Sequence, residues 1–296
     1  IADKLLAKKI ESKGAILIEG PKWCGKTTTA EQQAASILYM DNPASLETNL
    51  QMAEIDPSVL LEGKAPRLVD EWQLAPKLWD AIRFEVDHRR EVGQFILTGS
   101  AVPADEKDMH HSGTGRFSWL TMRPMSLYES GESNGKVSLA SLFETPSKIV
   151  ATNQLKIEDL AYLICRGGWP FACNLQGDAA LSQAFDYVDA VIKKDVVRVD
   201  GVNRNTTTIR LLLRSYARNQ ASQATIGTIV ADMMTNDENE ISVKTAGNYL
   251  EALRKIFVIE DSVAWNPNLR SKTAIRTANT RYFIDPSIGT AVLGLG

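Results

Sequence analysis

GPKWCGKTTTAE, residues 20–31, contains the pattern G-x-x-x-x-G-K-[ST]. The pattern is typical of loops that hold phosphate, because its glycines let backbone N–H groups turn inward around phosphate oxygens. A short apolar stretch, AILIE (15–19), precedes the loop, and a helical pattern from Thr27 to Ser36 follows it. A strand before the loop and a helix after it are the context in which the pattern is meaningful. The sequence therefore predicts a phosphate-binding loop rather than a chance glycine-rich turn.

Residues of this loop have separate predicted tasks. Lys26 is predicted to neutralise the β- and γ-phosphates of ATP, and the Thr27 hydroxyl to ligate Mg²⁺. The helix that follows would point its positive dipole end at the same anion. The predicted nucleotide contacts are Gly20, Pro21, Lys22, Trp23, Cys24, Gly25, Lys26, Thr27 and Thr28.

Segments that read as strands and helices alternate after the loop. A clear helical pattern covers 78–90, and the strand patterns lie at 37–40, 67–71, 94–100 and 117–122. Strands that alternate with helices pair in parallel, and the helices cover both faces of the sheet. The first part of the chain is therefore predicted to be an α/β fold, a P-loop NTPase parallel sheet.

Two carboxylates, Asp70 and Glu71, end the predicted strand RLVDE (67–71). Asp70 is predicted to hold Mg²⁺ and Glu71 to polarise the attacking water. The alternative is that one of them caps a helix that begins near Trp72. A glutamate beside the metal-holding acid favours hydrolysis over transfer of phosphate to a small molecule.

Thr98 and Ser100 end the predicted strand QFILTGS (94–100). Ligands of open parallel sheets bind beyond the carboxyl ends of the strands, so a polar side chain there is placed to contact the γ-phosphate or the lytic water. The alternative is a Thr-Gly-Ser turn without nucleotide contact.

Arg116 stands at the end of a polar stretch, 101–116, that is predicted to be a mobile loop. A cation near the γ-phosphate stabilises the charge that develops during hydrolysis. Arg116 is a candidate for this task in its own chain or in a neighbouring one, and Arg123 is a weaker candidate. A surface salt bridge is the alternative for Arg116.

Composition changes after the Gly- and Ser-rich stretch 129–138. The alternation of strands and helices stops there, and four helical patterns follow at 139–143, 156–165, 179–199 and 206–219. The predicted parts are an ATPase core (1–130), a helical lid or linker (131–204) and a winged helix-turn-helix domain (205–296). Within the lid, Arg166 precedes Gly167 and Gly168, which predict a helix stop and leave a nucleotide-sensing role for the arginine as the alternative.

Helical patterns at 224–234 and 242–254, followed by strand patterns near 256–264 and 280–284, predict the winged helix. Its basic residues are placed to contact DNA phosphates or base edges. The alternative is a module for protein contacts. The candidate DNA contacts are Lys244, Asn248, Arg254 and Lys255 on the second helix, and Arg270, Lys272, Arg276 and Arg281 in the hairpin.

Bulk properties exclude several classes of protein. The net charge of −3 argues against indiscriminate nucleic-acid binding, although residues 201–296 carry eleven Lys or Arg against eight Asp or Glu. Three cysteines without a C-x-x-C pair argue against a disulfide framework or zinc site and fit a reducing cytoplasm. Three histidines give little support for a metalloenzyme or a serine hydrolase. The sequence contains no run of about 18 apolar residues, so no membrane-spanning helix is predicted.

Six motifs together resemble one family of AAA-type P-loop ATPases from bacteria and archaea, whose C-terminal half is a domain of unknown function. The motifs are LIEGPKWCGKTT, LVDEWQLAPKLWDAIR, FILTGSA, SGTGRF with MRPMSLYE, RGGWP and YFIDPSIG. The resemblance implies an ATPase core, a helical segment and a winged helix, with the nucleotide site on Lys26, Thr27, Asp70, Glu71 and Thr98. A nuclease-like domain commonly follows in that family, and because the sequence stops at Gly296, that domain is expected to be either absent or not included here.

The leading hypothesis is a protein that binds and hydrolyses ATP with Mg²⁺ and passes its nucleotide state to a winged helix that binds DNA. A DNA-binding regulator or a protein-interaction switch that binds ATP without significant hydrolysis is the alternative. A small-molecule kinase is a third hypothesis, weakened by the Asp-Glu pair. Under either of the first two hypotheses, a protein partner or a second copy of the chain is expected to bind this protein.

Overall fold

One parallel sheet of five strands forms the centre of the N-terminal part. The computed structural model describes residues 1–99, 113–145, 150–196, 202, 204–233, 241–265 and 278–296. In space the strands are ordered β2-β3-β4-β1-β5, and every neighbouring pair is parallel. The predicted α/β fold with a P-loop NTPase sheet is confirmed. The strands are β1 Ala15–Glu19, β2 Ser36–Tyr39, β3 Arg67–Asp70, β4 Phe95–Gly99 and β5 Phe117–Thr121.

The register of the sheet brings the predicted site residues to one edge. Glu19, the last residue of β1, pairs with Gly99, and Asp70, the last residue of β3, pairs with Thr98. Because all strands run in one direction, the chain leaves β1, β3 and β4 at the same edge. The phosphate loop, Asp70 and Thr98 are neighbours for this reason.

Helices cover both faces of the sheet, as predicted. Side chains alternate along β1, so that Leu17 packs with Trp79 in one apolar cluster and Ile16 packs with Leu6 in the other. The helix after the phosphate loop is shorter than predicted, because it ends at Glu31 and β2 begins at Ser36. The helices of this part are α1 Ala2–Ile10, α2 Lys26–Glu31, α3 Leu46–Ile55 and α4 Lys77–Arg89.

Eight helices occupy the described residues after the sheet. The predicted patterns near 139–143, 156–165, 179–199, 206–219, 224–234 and 242–254 all correspond to helices, and α8 continues into one π-helical turn, Val191–Asp195. None of the described helices is both long and apolar enough to cross a lipid bilayer. The eight are α5 Leu139–Glu144, α6 Ile157–Arg166, α7 Pro170–Cys173, α8 Gly177–Ala190, α9 Thr206–Arg218, α10 Ile226–Met233, α11 Val243–Lys255 and α12 Pro286–Leu293.

Helix α12 was not predicted from the sequence. Its N-cap is Asp285, whose carboxylate accepts hydrogen bonds from the backbone N–H and the hydroxyl of Ser287, and Pro286 occupies its first turn. Aspartate followed by proline is a strong helix start. The predicted elements ended with the strand pattern near 280–284, and no element was predicted for residues 286–293.

A single cluster of buried side chains joins the helices of the C-terminal part. It extends from Trp169 through Ile209 to Ala291 and therefore crosses position 204, where a domain boundary was predicted. The boundary at 204 stays a prediction, and the shared core favours one folding unit from the lid helices onward.

The predicted wing is described only at its base. Ile259 pairs with Phe283 and Ser262 with Thr280, each in an isolated antiparallel bridge. These bridges lie where the two strands of the hairpin were predicted. Arg270, Lys272 and Arg276 lie outside the described residues.

Candidate functional site

The phosphate loop is held in a conformation that its glycines permit. Gly20 and Gly25 have φ values of +147° and +95°. A Cβ atom at Gly20 would lie 2.3 Å from the carbonyl oxygen of Met122, so the loop passes directly against the chain that leaves β5. Residues with side chains rarely adopt these φ values, which makes glycine the suitable residue at both positions.

Lys26 is buried beneath the loop, with 6% of its surface exposed. Its ammonium group donates hydrogen bonds to the carbonyl oxygens of Gly20 (3.0 Å) and Pro21 (2.7 Å). Burial lowers the pKa of Lys26, and the nearby carboxylates of Glu71 and Asp70 act in the opposite direction. A buried cation with carbonyl oxygens as its closest partners is a strong attractor for an anionic ligand.

Asp70 is fixed by two hydroxyl groups. Thr27 donates to its Oδ1 over 2.9 Å, and Thr98 donates to the same oxygen. Burial raises the pKa of the Asp70 carboxyl, while these two hydrogen bonds act to lower it. Thr98 itself is buried and does not line the cavity described below. The structure therefore places Thr98 behind Asp70, as a group that orients the carboxylate.

Glu71 lies just beyond the end of β3 and faces the cavity. Its backbone adopts the left-handed conformation, with φ of +53°. Its carboxylate accepts a hydrogen bond from the side-chain amide of Gln73, and burial raises the pKa of the carboxyl. The side chain does not cap the short helical turn that follows, Trp72–Leu74, so the capping alternative is wrong for Glu71.

Gln73 is a site residue that sequence reasoning missed. Its amide nitrogen holds Glu71, and its carbonyl oxygen is buried without a hydrogen-bond partner. A Cβ atom at Gly99 would lie 2.6 Å from that oxygen, so Gln73 lies against the end of β4. Only the turn after Glu71 brings the side chain back to the carboxylate, and the sequence around Gln73 carries no sign of that turn.

A cavity of about 720 Å³ lies between the phosphate loop and the helical segment. The loop and Glu71 form one wall, and residues of α7 and α8 form the other. Its size suits a ligand as large as a nucleotide. The lining residues are Lys22, Trp23, Gly25, Lys26, Thr27, Thr28, Glu71, Pro170, Phe171 and Gln183.

Three sequence motifs meet at a buried junction beside this cavity. The backbone N–H of Gly168 donates to Asp285 over 2.9 Å, and the indole N–H of Trp169 donates to the Ser287 hydroxyl over 3.0 Å. The N–H of Met125 donates to the Gly168 carbonyl over 2.6 Å. Because Pro170 lines the cavity and directly follows Trp169, the junction connects the cavity wall to the C-terminal helix α12.

Comparison with known families and structures adds to this geometry. The model of an AAA domain matches residues 12–131. These residues form an AAA-type P-loop domain. The model of a domain of unknown function (DUF8612) matches residues 157–296, which cover the helices from α6 onward. No curated protein matches the chain.

Solved structures resemble the AAA domain together with the helical part. A Walker-type ATPase of Pyrococcus abyssi is 12% identical, with a TM-score of 0.52 over 99% of this chain and 94% of its own. Two others superpose less well. AMPPCP-bound DnaA from Aquifex aeolicus is 13% identical, with a TM-score of 0.36 over 86% and 85% of the two chains. A RuvB variant of Thermotoga maritima is 16% identical, with a TM-score of 0.35 over 93% and 92%. At these identities the likeness concerns the fold alone.

Arg116 lies far from the cavity of its own AAA domain. It precedes Phe117, which pairs with Ala15 at the amino end of β1, whereas the phosphate loop leaves the carboxyl end of that strand. The two edges are separated by the length of the strand, about 16 Å. Arg116 forms a bidentate ion pair with Asp87 (2.8 and 3.2 Å). The interpretation that it serves the nucleotide of its own chain is wrong, because it lies at the opposite edge of the sheet.

The other candidate arginines also have carboxylate partners. Arg123 forms a bidentate ion pair with Glu260, which joins the AAA domain to the C-terminal part. Arg166 is buried and pairs with Glu132 over 2.6 Å. Gly167, with φ of +72°, ends α6, so the predicted helix stop is confirmed.

The predicted DNA-contacting residues are divided by the structure. Lys244 and Asn248 are exposed on α11, and the side chain of Ser242 caps this helix. Arg254 and Arg281 both bind the carboxylate of Asp261. Their charges are thus largely neutralised within the chain, and the expectation that they face DNA phosphates is not supported for them.

Proposed function

We propose that the protein binds ATP together with Mg²⁺ in the cavity of its AAA domain and hydrolyses the nucleotide. One observation carries the proposal. The ammonium group of Lys26 and the hydrogen-bonded side chains of Thr27 and Asp70 lie at the same edge of the sheet. The loop would hold the phosphates with its backbone N–H groups, and Lys26 would exchange its carbonyl partners for phosphate oxygens.

The residues present fit a magnesium ion. Thr27 and Asp70 offer a hydroxyl and a carboxylate, which are the hard oxygen ligands that Mg²⁺ prefers. Among the described residues no group of three or more His, Cys, Asp or Glu side chains could hold a metal alone. Magnesium usually completes its shell with water and substrate phosphates, so two protein ligands suffice. Bound there, Mg²⁺ would neutralise charge on the phosphate oxygens.

Glu71 is the proposed general base. Its carboxylate faces the cavity next to the phosphate loop, and Gln73 holds it in place. A partly buried glutamate with a raised pKa is a stronger base than an exposed one, which suits it to accept the proton of an attacking water. Thr98 contributes indirectly by fixing Asp70.

Nucleotide state would reach the rest of the chain through the cavity wall. Lys22 pairs with Asp195, and Pro170 and Phe171 belong to the short helix next to the buried junction. Closure of the helical segment over bound ATP and its release after hydrolysis would therefore displace α7 relative to α12.

Two substitutions test the proposal. Lys26→Ala should abolish ATP binding in a calorimetric titration with Mg²⁺, whereas Lys8→Ala, at an exposed lysine of α1, should leave it unchanged. Glu71→Gln should retain ATP binding and lower turnover by about 10²–10⁴-fold. Unchanged ATP affinity in Lys26→Ala would overturn the site. Equal background turnover in wild type and Glu71→Gln would leave an ATP-binding switch, the alternative function.

DNA binding by α11 is a second candidate function. The exposed Lys244 and Asn248 on one face of a capped helix favour it. Retardation of a DNA duplex should weaken steeply as salt increases, because phosphate contacts release counterions. The double variant Lys244→Ala/Asn248→Ala should bind less, and Lys8→Ala should bind as wild type does. If the wild-type protein retards no duplex at low salt, α11 is left as a surface for protein contacts.

A further inference from the structure

Two aromatic side chains face the cavity without being covered by the protein. Trp23 of the phosphate loop is 61% exposed, and Phe171 of α7 is 65% exposed. They come from opposite walls, one from the loop and one from the helical segment. Large aromatic side chains are mostly buried in folded proteins, so two open ones in a single cavity indicate a surface that a ligand covers.

Trp23 is held at this place by a strained backbone. Its φ is +65°, in the left-handed region that bulky residues rarely adopt. Burial of the side chain within the chain does not offset this strain, because most of the indole is exposed and its aromatic neighbour Tyr187 lies 6.3 Å away between ring centroids. Backbone strain that is not offset by packing of the side chain within the protein is characteristic of functional sites.

A polar side chain of fixed orientation also lines the cavity. The side-chain amide nitrogen of Gln183 donates to the carbonyl oxygen of Ala179 over 3.1 Å. Since a carbonyl accepts only from the NH₂ group, this bond orients the amide and leaves its oxygen as an acceptor. Gln183 lines the cavity on the side of α8.

The lining of the cavity thus contains two chemically different groups of residues. Lys26 and Thr27 suit phosphates, whereas Trp23, Phe171 and Gln183 offer two aromatic faces and one hydrogen-bond acceptor. An aromatic base has two flat faces that stack on such rings, and adenine carries an exocyclic amino group that donates hydrogen bonds. Guanine presents an oxygen at the corresponding position, which would oppose the Gln183 acceptor.

We propose that Trp23 and Phe171 stack on the base of the bound nucleotide and that Gln183 accepts a hydrogen bond from the amino group of adenine. The assignment rests on the proposed ATP binding and specifies which residues select the base. Trp23 would then connect base recognition directly to the phosphate loop, because it lies between Lys22 and Cys24 within that loop.

Stacking can be separated from phosphate binding with two ligands. Titrations with Mg²⁺ would compare ATP with inorganic tripolyphosphate, which has no base. Trp23→Ala and Phe171→Ala should weaken ATP binding by roughly 5- to 150-fold, the range for loss of one stacking ring. Their affinity for tripolyphosphate should stay close to that of the wild type. Lys26→Ala should lose both ligands, and if it does not, the proposed ATP site itself fails.

Matched controls are present in the chain. Trp265 (84% exposed) and Phe143 (82% exposed) lie away from the cavity, so Trp265→Ala and Phe143→Ala should leave ATP binding unchanged. Trp23→Phe keeps an aromatic face and should keep most of the affinity, which distinguishes lost stacking from a misfolded loop. Gln183→Met should reduce the preference for ATP over GTP.

Fluorescence provides an independent readout. A base stacked on Trp23 should quench its emission, so the ATP-induced quench should be smaller in Trp23→Phe than in the wild type although ATP still binds. The proposal is overturned if Trp23→Ala binds ATP as tightly as the wild type. It is also overturned if Trp23→Ala loses ATP and tripolyphosphate to the same degree, because the indole would then act only on the shape of the loop.

Discussion

Lys22 and Asp195 form an ion pair with 2.5 Å between Nζ and Oδ1, although 173 residues separate them in the sequence. Lys22 belongs to the phosphate loop, and Asp195 ends the π-helical turn after α8. Single π-helical turns within helices occur frequently at functional sites. The pair is therefore a direct connection between the loop and the helical segment that forms the other wall of the cavity.

Asp195→Asn should loosen this connection with little loss of global stability. The pair is partly exposed, so its contribution should not exceed about 1 kcal/mol. Hydrogen exchange should become faster in α7 and α8 of the ligand-free protein. Asp189→Asn is the control, because Asp189 lies on the same helix and pairs with Lys193 and Arg210. Identical exchange patterns in the two variants would show that the Lys22 contact does not hold the segment.

Gln73→Met should alter the pH dependence of hydrolysis. Burial raises the pKa of Glu71, and the hydrogen bond from Gln73 lowers it, so removal of the bond should raise the pKa further. A general base acts only when ionised, and the acid limb of the pH–rate profile should therefore move to higher pH. Turnover should fall while the KM for ATP changes little. Gln51→Met, on the exposed face of α3, should leave the profile in place. An unshifted acid limb in Gln73→Met would contradict the role of Gln73.

Asp70→Asn should stabilise the ligand-free protein at neutral pH. Burial raises the pKa of Asp70 above its ordinary value of 3.8, so the folded state is destabilised by this group once the pH rises through the folded pKa. The gain in Tm should shrink as the pH falls and should be lost below the ordinary pKa of 3.8, where the folded and the unfolded carboxyl are both protonated.

Asp87→Asn is the control for the thermal scans of Asp70→Asn, because its effect on the Tm should have the opposite sign. Arg116 lowers the pKa of Asp87, so the stabilisation from this carboxylate is present above its unfolded pKa and is lost as the pH falls. Its replacement should lower the Tm at neutral pH. A lower Tm in Asp70→Asn at neutral pH would show that the hydroxyl contacts of Asp70 outweigh its burial.

Gly168→Ala should disrupt the buried junction. The added Cβ would lie 2.0 Å from the carbonyl oxygen of Met125, and overpacking of this kind costs about 1–3 kcal/mol. Gly247→Ala, in α11, is the matched control, because the nearest atom to the added Cβ would be the Cδ1 of Ile226, 3.8 Å away, and alanine favours a helix by about 0.5–1 kcal/mol over glycine. Urea unfolding should therefore show a lower free energy of unfolding for Gly168→Ala and a higher one for Gly247→Ala, each relative to the wild type. If Gly168→Ala and Gly247→Ala were equally stable, the backbone around Met125 would move to accommodate the added methyl group without loss of stability.

Arg116→Ala should lower turnover by about 10²–10³-fold if the residue acts on the nucleotide of a neighbouring chain. Such a variant keeps its own cavity, and Lys26→Ala keeps Arg116. A mixture of the two should then recover activity that neither shows alone. Wild-type turnover in Arg116→Ala would reduce Arg116 to its surface ion pair with Asp87.

Local sequence patterns sufficed to predict the sheet and the loop. Each strand is a short apolar run bounded by turn residues, and the phosphate loop lies between a strand and a helix. Asp70 and Glu71 could be selected because they lie at the end of a buried strand that follows the loop in the sequence. Such features depend on residues close together in the sequence, where periodicity and turn chemistry are informative.

Contacts between distant segments could not be predicted in the same way. Phe171 and Gln183 reach the cavity only because α7 and α8 fold back over the loop, and Gln73 reaches Glu71 through an irregular turn. Charge counts also misled the interpretation of Arg254 and Arg281, since Asp261 lies between them in the folded chain. These outcomes depend on tertiary packing, which a single sequence does not display.

The position of Arg116 limits how copies of this chain could cooperate. The residue lies at the amino-terminal edge of the sheet, and the cavity lies at the carboxyl-terminal edge. If a second copy placed its Arg116 in this cavity, the amino-terminal edge of its sheet would lie against the carboxyl-terminal edge of the sheet in the first copy. A two-fold dimer would have to form both Arg116–cavity contacts in one interface. If only one of them forms, two different surfaces meet and the contact is heterologous. Repetition of such a contact gives a closed ring when the rotation between copies closes and a filament when it does not.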